Sequence, residues 1–292
     1  MRLTMRELLM ALAVPLIWGM GFVFAKAAIG HFPPILLMAL RFTLTALATV
    51  WFAPLPRTHF WPLFWIAIVA AAIQYSLTFS GLKHLDAGMA ALIVQLEVPF
   101  LVLLGALILK ERPTMRKWLG IAVAFAGVAL IAGQVEFRGE WVAVFMVIAG
   151  AFTWALGQVF IRRLKDITGA TVTAWIAVFA ALQLFVMSAI FETGQKEAIL
   201  AAGWVVWGAV AYLGLVMTAL GYFLWNTLIR AHDVGRVAPF LLLLPVCSVA
   251  GGAVFLGEVL TPGRLVGGAV VIAGVALITL ERRRAPVVTP KT

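Results

Sequence analysis

The sequence predicts an all-α integral membrane protein, with ten transmembrane helices built as two inverted five-helix repeats around a central cavity. Three observations carry that expectation. Of 292 residues, 64% are hydrophobic and only 12% charged, too few charges to cover a water-soluble domain of this size. Apolar runs of about 20 residues, the length that spans a bilayer, recur along the whole chain. The plan of Asp86–Ile131 also returns as Asp233–Ile278, each copy closing in Ala-Gly-Val-Ala-Leu-Ile. The closing motifs start at Ala126 and Ala273, 147 residues apart, and Tyr75/Tyr222, Asp86/Asp233 and Glu111/Glu258 keep the same spacing. An internal repeat decides the architecture before any single motif does.

Taken in order, the expected spans are Leu8–Ile29, Pro33–Phe52, Phe60–Leu82, Gly88–Leu109 and Met115–Ala132 in the first copy. Trp141–Ile161, Ala170–Phe191, Trp204–Leu228, Val234–Leu256 and Pro262–Leu280 follow in the second. The short connections hold most of the Pro, Gly and charge, as turn chemistry requires. The expected division is residues 1–134, residues 135–285 and a cytoplasmic tail, 286–292. The first apolar run continues into the repeat, so no cleavable signal peptide is expected. If the N-terminus is inside, sixteen of the 22 Lys and Arg fall on the cytoplasmic side, five on the other, and Arg41 within a span. That bias places both termini in the cytoplasm, and the expected location is a bacterial inner membrane. Five spans per copy turn the second copy upside down, which puts a solute site near the midplane between the halves.

Several function classes are excluded. The net charge of +10 comes from basic residues gathered at span ends, not on one face, so nucleic acid is not the expected partner. Cys247, the one cysteine, has no partner for a disulfide or metal site. No phosphate loop, metal-spaced His/Cys/Glu set or serine elbow is present, so neither an enzyme nor a cofactor or metal is expected. The expected partners are the lipid bilayer and a small-molecule substrate. A monomer is the expected state, though the sequence carries no signal that decides it.

Candidate binding residues lie at mid-span. Glu97 is the sharpest, because a charge at that depth needs a cavity or a partner. Arg41 lies at similar depth. The two could form a structural pair, or Glu97 could take a substrate ammonium or a coupling proton. Repeat symmetry sets Leu244 against Glu97, so the carboxylate is not duplicated. Gln74 and Thr78 share a helix face beside Tyr75, and Tyr222, Trp225 and Asn226 share another. Trp18 and Trp154 are 136 residues apart in the first helix of each half; Gln158 lies one turn beyond Trp154, and Gln95 precedes Glu97. Aromatic rings and amides converging on one cavity suit a zwitterion with an apolar side chain. Helix packing and interhelical hydrogen bonds are the plainer use of these residues. Trp51, Trp61, Trp65, Trp118, Trp141 and Trp204, near span ends, are expected in the interfacial belts. His31, His59, His84 and His232 are expected in solvent. Pro99 and Pro245 are candidate hinges. Gly120/Gly127 and Gly267/Gly274 are expected to let the last helix of each half pack closely.

In these motifs the chain resembles the drug/metabolite transporter superfamily, EamA type. The resemblance rests on Pro99, Leu107–Arg112 with Glu111, Gly120 and Ala126–Ile131 in the first half, and on Pro245, Phe255–Glu258, Gly267 and Ala273–Ile278 in the second. Pro15–Lys26 and Ala39–Phe42 add to it. Where many members carry Gly before the first glutamate, this chain has Lys110. The resemblance implies export of small metabolites by alternating access. Amino acids with aromatic or other apolar side chains are the expected cargo, as for the YddG-type exporters. Efflux of hydrophobic cationic drugs, with Glu97 as anchor, and a non-transporting structural protein are the alternatives.

Overall fold

The computed structural model describes residues 4–134, 138–164, 166–232, 237–259 and 261–280. Among them, ten helices are long and apolar enough to cross a membrane. They are α1 (Met5–Ile29), α2 (Pro34–Phe52), α3 (Phe60–Leu82), α4 (Ala87–Ile108), α5 (Met115–Ala132), α6 (Glu140–Arg163), α7 (Gly169–Phe191), α8 (Trp204–Trp225), α9 (Pro239–Leu256) and α10 (Pro262–Thr279). Helix is the one regular structure among the described residues. That is the solution lipid imposes, since each helix satisfies its own backbone. Leu16, Leu107, Phe145, Phe223 and Val254 are exposed, an outer surface fit for lipid. The expectations for Arg2, Lys165, Asp233, Arg236, Arg282–Arg284, Lys291 and the tail 286–292 fall outside the described residues.

The two halves are related by a two-fold axis lying across the helices. Helices α5 and α10 occupy equivalent places in the two repeats, and they pack on each other. A methyl placed on Gly120 would meet the Gly274 carbonyl oxygen at 2.7 Å; one on Gly274 would meet the Gly120 carbonyl oxygen at 2.8 Å. Gly127 and Gly267 approach each other in the same reciprocal way. Gly120 corresponds to Gly267, and Gly127 to Gly274. The start of α5 therefore lies beside the end of α10, so the equivalent helices run antiparallel. One repeat is inverted relative to the other. The remaining packing obeys the same axis: α2 lies on α7, α1 on α9 as α6 on α4, and α3 on α6 as α8 on α1.

Three features depart from ten regular helices. Residues Ile68–Ile73 of α3 and Tyr212–Leu220 of α8 are π-helical, at matching places in the two repeats. Helix α4 tightens to a 3₁₀-like turn at Gln95–Leu96, and α9 opens with a 3₁₀ stretch, Ala238–Leu242. A short helix, Gln195–Ala201, follows the left-handed Gly194 between α7 and α8, where a plain loop was expected. That added helix and the longer α7 take up most of the change in repeat spacing from 136 to 147.

Candidate functional site

The π-helical segments set the geometry of the central cavity. A π turn widens the helix and displaces backbone carbonyls from their usual donors, a distortion common at functional sites. In α8 those carbonyls are taken by neighbours. Trp18 Nε1 donates to the Met217 carbonyl at 3.0 Å. The Thr45 hydroxyl sits 3.0 Å from the Gly214 carbonyl, and Thr218 donates to the Leu213 carbonyl at 2.8 Å. Directly after each π segment comes a cavity cluster: Gln74, Tyr75 and Thr78 on α3, Tyr222 and Trp225 on α8.

The cavity encloses about 560 Å³, within the usual range for small-ligand sites, roughly 300–1,000 Å³. Of the residues singled out above, Trp18, Arg41, Gln74, Tyr75, Thr78, Glu97, Trp154, Gln158, Tyr222 and Trp225 lie on its wall. Gln95 does not: it stands two residues from Glu97, on another side of α4. The Asn226 side chain lies outside the described residues. Phe22, Phe42, Phe79 and Thr218 join the wall without having been singled out. Phe22 and Phe79 fall four residues after Trp18 and Tyr75, and Thr218 four before Tyr222, so one-turn spacing was the available signal.

Rings dominate the wall. Trp18 lies 5.4 Å from Tyr222 and 6.2 Å from Trp225, centroid to centroid. Phe22 stacks on Phe79 at 6.1 Å, and Phe79 on Tyr75 at 5.6 Å. Arg41 and Glu97 both reach the wall, but no ion pair joins them. The structural-pair expectation is therefore not met. The Gln74 amide nitrogen donates to the Thr78 hydroxyl at 3.2 Å, while its buried amide oxygen has no donor among the described residues.

Pro99 is buried in α4, just after the tight turn. Having no N–H, it frees the Gln95 carbonyl, which takes the Val98 N–H at 3.2 Å instead. The tight turns end at Leu96 in the first half and at Leu242 in the second, within one residue of the repeat spacing. Pro245 follows the second turn and lines a separate apolar groove of about 310 Å³ between α4, α9 and α10.

The cavity is open at one end. Its lining runs out through Ile161, Leu164, Ile167 and Gly169, the end of α6 and its connection to α7. At the opposite end Phe22 and Phe79, both buried, form the floor. Polar ties close the bundle beyond them. Glu258 accepts from the Ala87 and Gly88 N–H groups at 2.5 and 3.2 Å. Burial raises the Glu258 carboxyl above the usual range, and those two N–H groups oppose the rise. Lys26 donates to the Leu82 and Lys83 carbonyls, both at 3.0 Å. Asp86 pairs with Arg264. Glu192 accepts from the Ile35 and Leu36 N–H groups at 2.7 and 2.9 Å. At the open end, Glu111 pairs with Arg162 at 2.7 Å, both half exposed. His232 is not solvated as expected; it is largely buried and sits 2.9 Å from Glu7. No group of three or more metal-ligating side chains exists among the described residues.

An inverted-repeat bundle enclosing a half-open, ring-lined cavity with a few polar groups on its wall fits a membrane carrier. The chain belongs to the EamA-like transporter family, whose model matches residues 5–133 and again 141–280. It is 31% identical over 275 residues to a "Probable amino-acid metabolite efflux pump" of Salmonella typhimurium, covering 91% of this chain and 92% of that protein. It is 34% identical over 212 residues to a "Probable terminal-alkyne amino-acid exporter" of Streptantibioticus cattleyicolor, covering 70% and 69%. A crystal structure 22% identical in sequence superposes with a TM-score of 0.67 over 94% of this chain and 96% of that one, a likeness of fold. The protein is a multi-pass membrane exporter of small metabolites, not an enzyme.

Proposed function

We propose that the protein exports amino acids with aromatic or other apolar side chains by alternating access. The site is the central cavity, with Trp18, Tyr75, Trp154, Tyr222 and Trp225 as apolar contacts and Gln74, Thr78 and Gln158 as uncharged polar ones. One observation carries the reading: a ring-walled cavity holds a guanidinium and a carboxyl group that do not pair with each other. Such a wall suits a ligand that carries both charges and an apolar side chain. Arg41 on the same wall weighs against the alternative cargo, hydrophobic cations, which it would repel.

The two ends of the bundle support alternating access. The Lys/Arg bias supports a cytoplasmic side for the open mouth between α6 and α7, and on that reading this conformation is loaded from inside. Release requires the α1–α2 end to open while the α6–α7 end closes, and an inverted repeat supplies both arrangements from one design. Pro99 and Pro245, each next to a tight turn, are the proposed hinges. The names of the two relatives above, both referring to amino acids, agree with this cargo.

The test is flux of radiolabelled phenylalanine and leucine in proteoliposomes holding the full chain. Saturable flux, competed by unlabelled apolar amino acids, is expected. Export of a hydrophobic cationic dye with no movement of either amino acid would overturn the cargo. No flux of any solute would leave only the structural alternative.

A further inference from the structure

Among the described residues, Arg41 has no partner that accounts for its charge. It is the largest fully buried side chain among the described residues, 2% exposed, and it fronts the cavity. Its Nε donates to the Thr218 hydroxyl at 3.0 Å. Nη1 reaches only the Met38 sulfur at 3.9 Å, too weak an acceptor for a guanidinium, and Nη2 has no acceptor among the described residues. No described carboxylate lies within ion-pair distance. The rings of Tyr75, Phe42 and Phe79 lie 4.8, 5.5 and 6.0 Å from its central carbon. Those faces offset part of the desolvation, but they offer no oxygen. A buried cation without an anion is strongly unfavourable, and structural arginines of this depth are paired. Here Nη1 and Nη2, the two donors that match a carboxylate side by side, are left for a ligand.

A carboxyl group stands in the same cavity. Glu97 also lacks an ion partner among the described residues. The buried Gln74 amide oxygen has no donor among the described residues. Tyr222 shares the cavity wall with both Arg41 and Glu97.

We infer that Arg41 is the carboxylate anchor of the cavity, which sets the substrate class as zwitterionic α-amino acids. The carboxylate lies on the Arg41 fork, the ammonium faces Glu97 and the Gln74 oxygen, and the side chain lies against the rings. This assignment rests on the export reading above. It makes Arg41 a specificity-determining residue: amines without a carboxylate meet an unanswered positive charge.

The test measures competition against radiolabelled phenylalanine in proteoliposomes. Three competitors share one ring: phenylalanine, phenethylamine without the carboxylate, and 3-phenylpropionate without the amine. Wild type should prefer phenylalanine to phenethylamine by at least about 100-fold, since a site built for a polar group rejects analogues lacking it. Arg41→Gln should bring that preference to within about tenfold by weakening the carboxylate competitors, a loss in the range of one charged hydrogen bond. Arg41→Lys, which keeps the charge without the fork, should fall between. Glu97→Gln should weaken phenethylamine and spare 3-phenylpropionate. An unchanged preference in folded Arg41→Gln overturns the anchor. If that variant does not fold, the wild-type ratio decides, and a ratio near one overturns it. Wild type that moves amino acids without regard to the carboxylate sinks only the anchor. Wild type that moves none sinks the export reading and the anchor together.

Discussion

Glu111 and Glu258 occupy the same position in the two repeats and are held by the same local fold, yet they do different work. Each follows a residue in left-handed conformation, Lys110 at φ 56° and Gly257 at φ 68°. Each sends its own N–H back to a glycine carbonyl one turn inside the preceding helix, Glu111 to Gly105 at 3.2 Å and Glu258 to Gly252 at 3.1 Å. The corner is thus set by the sequence repeat. The partners differ. Glu258 caps the start of α4 at the closed end. Glu111 reaches across to Arg162 at the open end, where both groups are half exposed. Arg162 in turn matches Lys26 at the 136-residue spacing, and Lys26 ties α1 to the end of α3 at the closed end. Identical corners with unlike partners teach that the asymmetry between the ends is conformational and not written into the local chain.

The largest effect expected from that comparison is at Glu258. Glu258→Ala removes two charge-assisted bonds to backbone N–H groups, each in a class worth about 1.5–3 kcal/mol. The closed-to-open ratio at that end should fall by at least tenfold, roughly the equivalent of 1.4 kcal/mol. Glu111→Ala removes only a solvent-exposed ion pair, a class contributing about 0–1 kcal/mol, and should barely change the ratio. The readout is maleimide labelling of Ala28→Cys, a buried site at the closed end, in a Cys247→Ala background. Equal labelling in the two variants would break the comparison.

How much of this was legible beforehand depends on what each feature needs. The spans, the repeat and the inversion follow from hydropathy, spacing and an odd helix count. The cavity cluster follows from one-turn spacing, as in Gln74 with Thr78. Gln95 is off the cavity wall, and the chain carried a hint of that: residues two apart point to different sides of a helix. The π segments left no mark, because the stretches Ile68–Ile73 and Tyr212–Leu220 are ordinary apolar sequence. The unpaired state of Arg41 was hidden too. Depth along a helix can be counted in residues, but which neighbour a side chain meets needs the packed bundle. His232 looked solvated by its loop position, and only the fold brings it to Glu7.

A second contrast sets the unlike corners against a seam that is alike on both sides. Gly120, Gly127, Gly267 and Gly274 hold α5 against α10 through reciprocal contacts. A methyl at any of them meets backbone or packed side chain, so each Gly→Ala variant should cost about 1–3 kcal/mol by overpacking. Because the seam is symmetric, Gly120→Ala and Gly267→Ala should lower the melting temperature in detergent by similar amounts, as should Gly127→Ala and Gly274→Ala. A large difference within either pair would mean the two-fold relation is not kept at this interface.

The smallest effect returns to the corners and isolates their one chemical difference. Lys110 holds a conformation that an L side chain adopts only with strain of about 1–2 kcal/mol, and Gly257 holds the same conformation without it. Lys110→Gly removes that strain but gives the unfolded chain more freedom, which offsets about 0.5–1 kcal/mol. A net gain of roughly 0.5–1 kcal/mol is expected from the difference. Gly257→Ala should lose a similar amount, with open space around it and hence no clash to confuse the reading. The measurement is thermal or denaturant unfolding of both variants in detergent. If Lys110→Gly destabilises, the left-handed corner is not common to the two repeats, and the equivalence of Glu111 and Glu258 loses its structural basis.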